Sequence, residues 1–168
     1  MTHVWMVHRR LVGEGDETKL LQEAVFDRLW EDTSHRIRSM GIGELMVNKS
    51  LGDVQKYSFP LLLAYDAAMG QANPVEQADH LGAALWRNVW LGNRAMTVEH
   101  CMEMAHYVRR QQAMLKAADT AAVAEGRIAW QEVSCRVPCV HGVMTRQDSP
   151  KTCHDAACWP RPWCCRSF

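Results

Sequence analysis

Long apolar runs are absent from this 168-residue chain, and so is any excess of charge of one sign. Its 19 basic and 19 acidic residues cancel, which argues against a nucleic-acid-binding protein whose affinity rests on neutralising many phosphates. No uninterrupted apolar stretch approaches the roughly 20 residues of a transmembrane helix. With 48% apolar and 23% charged residues, the composition is that of a globular domain that can bury a core.

The short motifs that mark common active sites are also missing. The sequence contains no phosphate-cradling glycine loop, no Gly-x-Ser-x-Gly nucleophile elbow and no His-Glu-x-x-His zinc pair. An enzyme using Asp66 and a nearby histidine is the weakest functional hypothesis, because no convergent set of catalytic groups accompanies them. We therefore expect a non-enzymatic protein without a cofactor.

Cysteine is scarce in most of the chain and concentrated at its end. Six of the seven cysteines follow Glu132, and only Cys101 precedes it. Residues 1–132 carry 14 basic and 17 acidic side chains, whereas residues 133–168 carry 5 and 2 and contain no Leu or Ile. Because the second segment lacks the apolar periodicity of a packed element, we predict a helical domain over 1–132 and a disordered Cys/Pro/Arg-rich tail over 133–168. The abrupt change in composition suggests an alternative exon, a shifted reading frame or a gene-model error.

The apolar residues of the first segment recur at helical spacing. Asp16 is expected to cap a helix that ends at Gly41-Ile42-Gly43. Another helix is expected from Glu44 to about Lys56, and Pro60 is expected to begin a new one. With no alternating strand pattern, the predicted class is all-α, a compact domain of about five to six helices.

Apolar residues in the second half of this segment also recur at helical spacing. Residues 61–69 are apolar on most sides and are predicted to form the most buried helix. A helix over 75–91 carries small residues such as Gly82, which permit close contact with a neighbouring helix. A further helix is expected to start after Thr97 as its N-cap, and residues 126–130 are expected to be extended.

Asp66 stands out because it lies in the most apolar segment, beside Tyr65. A buried carboxylate needs a partner, and we expect Arg87, which follows Trp86, to form a structural ion pair with it. Such a pair is favoured over a ligand site. Trp90, near a helix end, is expected to be an exposed anchor, since aromatic residues are enriched at interaction surfaces.

The tail supports an alternative function, a zinc- or redox-active thiol module. Zinc accepts the soft ligands that the tail provides, which are Cys135, Cys139, His141, Cys153, His154 and Cys158. Their spacing differs from that of standard zinc fingers, and the tail has almost no core residues of its own. A tail without bound metal is therefore favoured.

Six motifs occur in a characteristic order over residues 3–130. They are His3-Val4-Trp5-Met6, Leu29-Trp30-Glu31-Asp32 followed by Arg36 and Gly41, Ala64-Tyr65-Asp66, Leu81-Gly82-Ala83-Ala84-Leu85-Trp86-Arg87-Asn88, Tyr107-Val108-Arg109 and Gly126-Arg127-Ile128-Ala129-Trp130. This series resembles the ubiquinol–cytochrome c chaperone family. That family normally has a mitochondrial leader and further helical sequence before the first motif, so the resemblance implies an N-terminally truncated form with an atypical C-terminal tail.

The resemblance implies a non-enzymatic assembly factor of mitochondrial respiratory complex III. Members of the family bind newly made cytochrome b together with a small partner protein, near the mitochondrial ribosome. The implied location is the matrix side of the inner membrane, peripheral to the membrane rather than spanning it, with no direct contact to nucleic acid. The implied protein-binding neighbourhood comprises Tyr65, Asp66, Trp86, Arg87, Asn88 and Trp90.

Overall fold

Six α-helices and one 3₁₀ turn make up residues 1–132, the part of the chain that the computed structural model describes. The helices are α1 (Thr2–Val12), α2 (Lys19–Ser39), α3 (Glu44–Met69), α4 (Pro74–Asn88), α5 (Val98–Ala117) and α6 (Thr120–Ala124). The 3₁₀ turn, Asp16–Thr18, joins α1 to α2. Because no strand occurs in the described range, the all-α prediction is confirmed for it.

Helix α5 is at the centre of the core. It packs against α1 and α4, and α3 packs between α2 and α4. Met104, Ala105 and Val108 of α5 are fully buried, as the 3.6-residue spacing predicts for one face of a helix. The prediction that residues 61–69 form the most buried helix was wrong, because Leu63 in that segment is 68% exposed. The segment is apolar on more sides than its two neighbouring helices cover.

Helix α4 follows the local rules of helix initiation and close packing. Asn73 caps it by accepting a hydrogen bond from the Val75 backbone N–H at 2.9 Å, and Pro74 occupies the first turn, where a missing N–H costs nothing. Gly82 faces α5 so closely that an added Cβ would lie 3.5 Å from the carbonyl oxygen of Cys101. The expected close contact at Gly82 is confirmed.

Helix α3 runs without a break through Pro60, which contradicts the prediction of two separate helices. A proline inside a helix removes one backbone hydrogen bond and costs about 3 kcal/mol. Buried residues lie on both sides of it, with Val47 in the first half and Leu62 and Tyr65 in the second. We infer that packing on both sides keeps the helix continuous, while Pro60 itself is exposed.

Predicted helix boundaries differ from those observed at the start of α2 and at the end of α4, which stops at Asn88 rather than at residue 91. Asp16 does not cap α2, because it belongs to the 3₁₀ turn, and Thr18 occupies the N-cap position instead. The predicted stop at Gly41 is confirmed, and its positive φ of 79° is a conformation that glycine adopts at little cost. None of the helices in residues 1–132 has both the length and the apolar content needed to cross a bilayer.

Candidate functional site

The Asp66 carboxylate joins α3 to α1. Its Oδ1 atom accepts a hydrogen bond from the Trp5 indole Nε1 at 3.0 Å and one from Arg9 Nη1 at 2.6 Å. The Trp5 ring is 1% exposed and lies 5.1 Å from the ring of Tyr65, at an angle of 53°. The Arg9 guanidinium carbon is 5.9 Å from the centre of the Trp5 ring, within the range of a cation–π contact.

Arg87 is not the partner of Asp66, so that prediction was wrong. The ion pair forms with Arg9, whose side chain is 35% exposed, while that of Asp66 is 48% exposed. Arg9 lies one helical turn after Trp5, and both side chains therefore reach the same carboxylate from α1. Arg87 is exposed on α4 and forms none of the ion pairs found among residues 1–132.

Tyr65 is buried below this ion pair. Burial raises the pKa of its hydroxyl, and side-chain hydrogen bonds with Thr2 and Asn88 act in the opposite direction. The Nδ2 atom of Asn88 is itself buried, without a hydrogen-bond partner in the described part of the chain. Tyr65 and Asn88 thus bring α1, α3 and α4 together beneath the surface.

A second cluster holds the last described residues against α1 and α5. His3 Nε2 lies 2.8 Å from the Tyr107 hydroxyl, and its ring meets the Trp130 ring edge to face at 4.7 Å. The fully buried Gln111 accepts a hydrogen bond from the Gln131 backbone N–H and donates one to the Gln131 carbonyl. Burial, and after it the positive charge of the N-terminal amine, lowers the pKa of His3 to about 4. Residues 127–132 are non-helical, but the Ile128 and Trp130 backbone N–H groups bond to the carbonyls two residues before them, so the segment forms turns and the expected extended segment is not observed.

Trp86 lies near the end of α4, and Trp90 lies in the constrained turn that follows it. The Trp86 indole Nε1 donates a hydrogen bond to the Asn93 carbonyl at 2.9 Å, and its ring would be 3.5 Å from a Cβ placed on Gly92. Trp90 is 8% exposed and belongs to the core, so its predicted exposure was wrong. The exposed residue of this turn is Leu91, at 87%, which has a φ of 51°.

Arg10 has a structural role that the sequence pattern did not reveal. Its side chain is 9% exposed and donates hydrogen bonds to the carbonyls of Leu115 and Ala118 and to the hydroxyl of Thr120. It also forms an ion pair with Glu14. A cation at the C-terminus of α5 satisfies carbonyls that have no partner within the helix, and it complements the helix dipole. Two arginines of the opening helix therefore act at opposite sides of the core.

The predicted protein-binding residues occupy different depths in the fold. Asp66 and Arg87 are exposed, Trp86 and Asn88 are half-buried, and Tyr65 and Trp90 are buried. Tyr65 and Asn88 meet, whereas Trp86 contacts the turn after α4. Sequence reasoning missed Arg9, although its position four residues after Trp5 places both on one helix face. The predicted cysteine and histidine ligands Cys135, Cys139, His141, Cys153, His154 and Cys158 lie outside the described residues.

The sequence model of a family described as ubiquinol-cytochrome C chaperone matches residues 1–130 of this chain. Among curated proteins, the chain is 29% identical over 112 residues to ubiquinol-cytochrome c reductase complex assembly factor 1 of Homo sapiens, and this covers 66% of the chain and 35% of the human protein. It is 27% identical over 117 residues to the Xenopus laevis protein of the same description, covering 70% of the chain and 56% of that protein. The chain thus spans about a third to a half of these relatives.

The fold also has a similar solved structure. A crystal structure described as the Cbp3 homolog from Brucella abortus superposes with a TM-score of 0.64 and 26% identity. The match covers 79% of this chain and 70% of that one. The motifs quoted above and the helical fold therefore lead to the same relatives.

Proposed function

Because the chain belongs to the ubiquinol–cytochrome c chaperone family, we propose that it acts in the assembly of ubiquinol–cytochrome c reductase, respiratory complex III. In this proposal it is a non-enzymatic chaperone that binds newly made cytochrome b together with a small partner protein. It acts in the mitochondrion, peripheral to the matrix side of the inner membrane and near the mitochondrial ribosome. The resemblance identified from six ordered motifs is confirmed by the family match over residues 1–130.

The observation that carries this proposal is that one family match covers nearly the whole described domain. The described relatives of frog and human are named for assembly of the same enzyme complex. A helical domain suits such a role physically. An unassembled client with membrane helices exposes apolar surface, and a second protein can cover that surface without covalent chemistry.

The proposed client surface is formed by the more exposed members of the predicted protein-binding neighbourhood. Asp66 and Arg87 provide exposed charges on α3 and α4, and the half-buried Trp86 precedes Arg87 on α4. Tyr65, Asn88 and Trp90 support this surface from below through packing and hydrogen bonds. Truncation of the supporting residues would change stability, whereas substitution of the exposed ones tests binding.

Capture of newly made mitochondrial proteins tests the proposal. The full chain, tagged and directed to mitochondria, is recovered after labelling of mitochondrial translation products. We expect labelled cytochrome b to be enriched over the other labelled membrane proteins, and the small partner to be recovered with it. Recovery of all labelled products in proportion to their abundance, or of none of them, would contradict a cytochrome b chaperone.

Arg87→Glu provides a residue-level test of the surface. Arg87 is exposed and unpaired in the described structure, so we expect cytochrome b capture to fall while the melting temperature stays within about 2 °C of the unsubstituted chain. Arg110→Glu, an exposed charge reversal on α5, is the matched control. Equal losses in both variants would show that net charge, rather than this surface, governs capture.

A further inference from the structure

The outer face of α3 carries an uncovered stripe of apolar and basic residues. The stripe consists of Leu45, Lys49, Gly52, Lys56, Phe59 and Leu63, which follow one another at alternating intervals of four and three residues. This spacing places all six on one side of the helix. Leu45 is 97% exposed, Leu63 68% and Phe59 52%, and Phe59 meets the ring of Trp30 on α2 at 6.1 Å between ring centres.

The stripe differs in charge from the rest of the domain. Residues 1–132 contain more acidic than basic side chains, 17 against 14, yet the six stripe positions include two lysines and no carboxylate. Neither Lys49 nor Lys56 forms an ion pair with any described residue. Their ammonium groups remain free to meet an anionic partner, while their aliphatic stems extend beside the apolar side chains.

The shape and composition of the stripe favour a flat partner. The inner side of α3 contacts α2 and α4, so its outer side projects as a ridge, whereas a helical peptide would require a groove. An open depression lies on the inner flank, but it is lined by residues of α2 and by Leu51, and by no stripe residue. In a parallel pairing of two copies through this stripe, Lys49 and Lys56 would each face the same lysine of the second copy.

We propose that the outer face of α3 is the surface through which this domain lies on an anionic phospholipid bilayer. From Leu45 to Leu63 the stripe is about 27 Å long, and the whole of it can lie parallel to a membrane surface. Apolar side chains then enter the headgroup boundary, and the lysines reach lipid phosphates. The inference rests only on the peripheral membrane location in the proposed function and is independent of the client.

Vesicle co-sedimentation of the full 168-residue chain tests this surface. The probes are vesicles of phosphatidylcholine alone and vesicles in which phosphatidylglycerol replaces part of it. We expect binding to the anionic vesicles to be about tenfold tighter, with the difference decreasing as salt is added. Equal binding to both vesicle types, or no binding to either, would overturn the proposal.

Two double variants test whether vesicle binding depends on the stripe. Phe59→Ser with Leu63→Ser, and Lys49→Glu with Lys56→Glu, should each weaken anionic-vesicle binding about tenfold. The two lysines are exposed and unpaired, so their variant should keep the melting temperature of the unsubstituted chain, whereas loss of the Phe59–Trp30 ring contact should lower that of the serine variant by a few degrees. Unchanged binding in either variant would overturn the assignment.

Matched substitutions elsewhere control for general surface effects. Leu20→Ser with Val98→Ser removes side chains that are 82% and 73% exposed on α2 and α5, and Arg110→Glu with Lys116→Glu reverses two charges of α5. Neither pair should change vesicle binding more than about twofold, and losses equal to those of the stripe variants would overturn the proposal.

The molar mass of the chain in solution tests the alternative occupant. A fall in this molar mass when the stripe is substituted would show that a second copy covers the stripe. Cytochrome b capture is measured separately and can fail or succeed independently.

Discussion

Removal of the Asp66 carboxylate should weaken the attachment of α1 to α3. In Asp66→Ala the Trp5 indole N–H, which belongs to a side chain only 1% exposed, loses its acceptor at 3.0 Å. A buried donor without a partner costs about 1–3 kcal/mol. The ion pair with Arg9 is partly exposed and contributes at most about 1 kcal/mol. We therefore expect the free energy of unfolding to fall by about 2–3 kcal/mol.

Two arginine variants separate the observed partner from the one predicted by sequence. Arg9→Ala should lower the free energy of unfolding by about 0.5–1 kcal/mol, because it removes only the exposed half of the interaction. Arg87→Ala should change it by less than about 0.5 kcal/mol, because Arg87 is exposed and unpaired within residues 1–132. The comparison thus sets the arginine that pairs with Asp66 against the one that does not.

Urea denaturation at constant pH provides the measurement, with variants compared by midpoint when their m-values agree. In a double-mutant cycle, Asp66 and Arg9 should couple by about 0.5–1 kcal/mol, and Asp66 and Arg87 should not couple beyond error. In a Trp5→Phe background, which has no indole N–H, Asp66→Ala should cost distinctly less. An Asp66→Ala cost below about 0.5 kcal/mol, or the same cost with and without the indole, would refute this account of the cluster.

Three further measurements test other parts of the fold. Because burial lowers the pKa of His3 to about 4, stability should be complete above its ordinary value of 6.5 and fall by about 1–3 kcal/mol as the pH decreases towards 4. His3→Gln should flatten the urea-midpoint profile in that range, and an unchanged profile would contradict the assignment. Gly82→Val should destabilise by about 1–3 kcal/mol because the facing backbone of α5 leaves no room beyond a Cβ, whereas Gly52→Ala, in open space, should stabilise by about 0.5–1 kcal/mol. Equal melting temperatures for those two variants would refute the close approach. Leu91→Gly should raise stability by about 1 kcal/mol by relieving a positive φ, and a lower melting temperature would instead show that the leucine side chain stabilises the turn.

The features predicted correctly from the sequence depend on local chemistry. Thr97 occupies the N-cap position of α5, where threonine is a favoured residue. Gly41 follows the end of α2 with a positive φ, which glycine adopts at little cost. Leu81 and Leu85, four residues apart on one face of α4, are completely buried, as their spacing predicts. Such features involve residues within a turn or two of one another, so one sequence is enough to identify them.

The incorrect predictions concern contacts between distant parts of the chain. Asp66 and Arg9 are 57 residues apart, and their pairing depends on where α1 lies against α3, which no local pattern specifies. Proline ends many helices, but packing along both halves of α3 outweighs the lost hydrogen bond at Pro60. The position of Trp90 at a helix end did not reveal that the chain turns back and buries its ring.

Some of the residues that carry the family resemblance build the core. Trp5, Tyr65 and Tyr107 are each at most 3% exposed, and their motifs hold α1, α3 and α5 together. A resemblance at buried positions therefore indicates a shared packing arrangement, and substitutions there measure stability before they measure binding. Contacts with a client or a membrane require exposed side chains, and those proposed for them are Asp66 and Arg87 and the stripe along the outer face of α3. Variants that keep the melting temperature and change capture or vesicle binding can separate those functions from the fold.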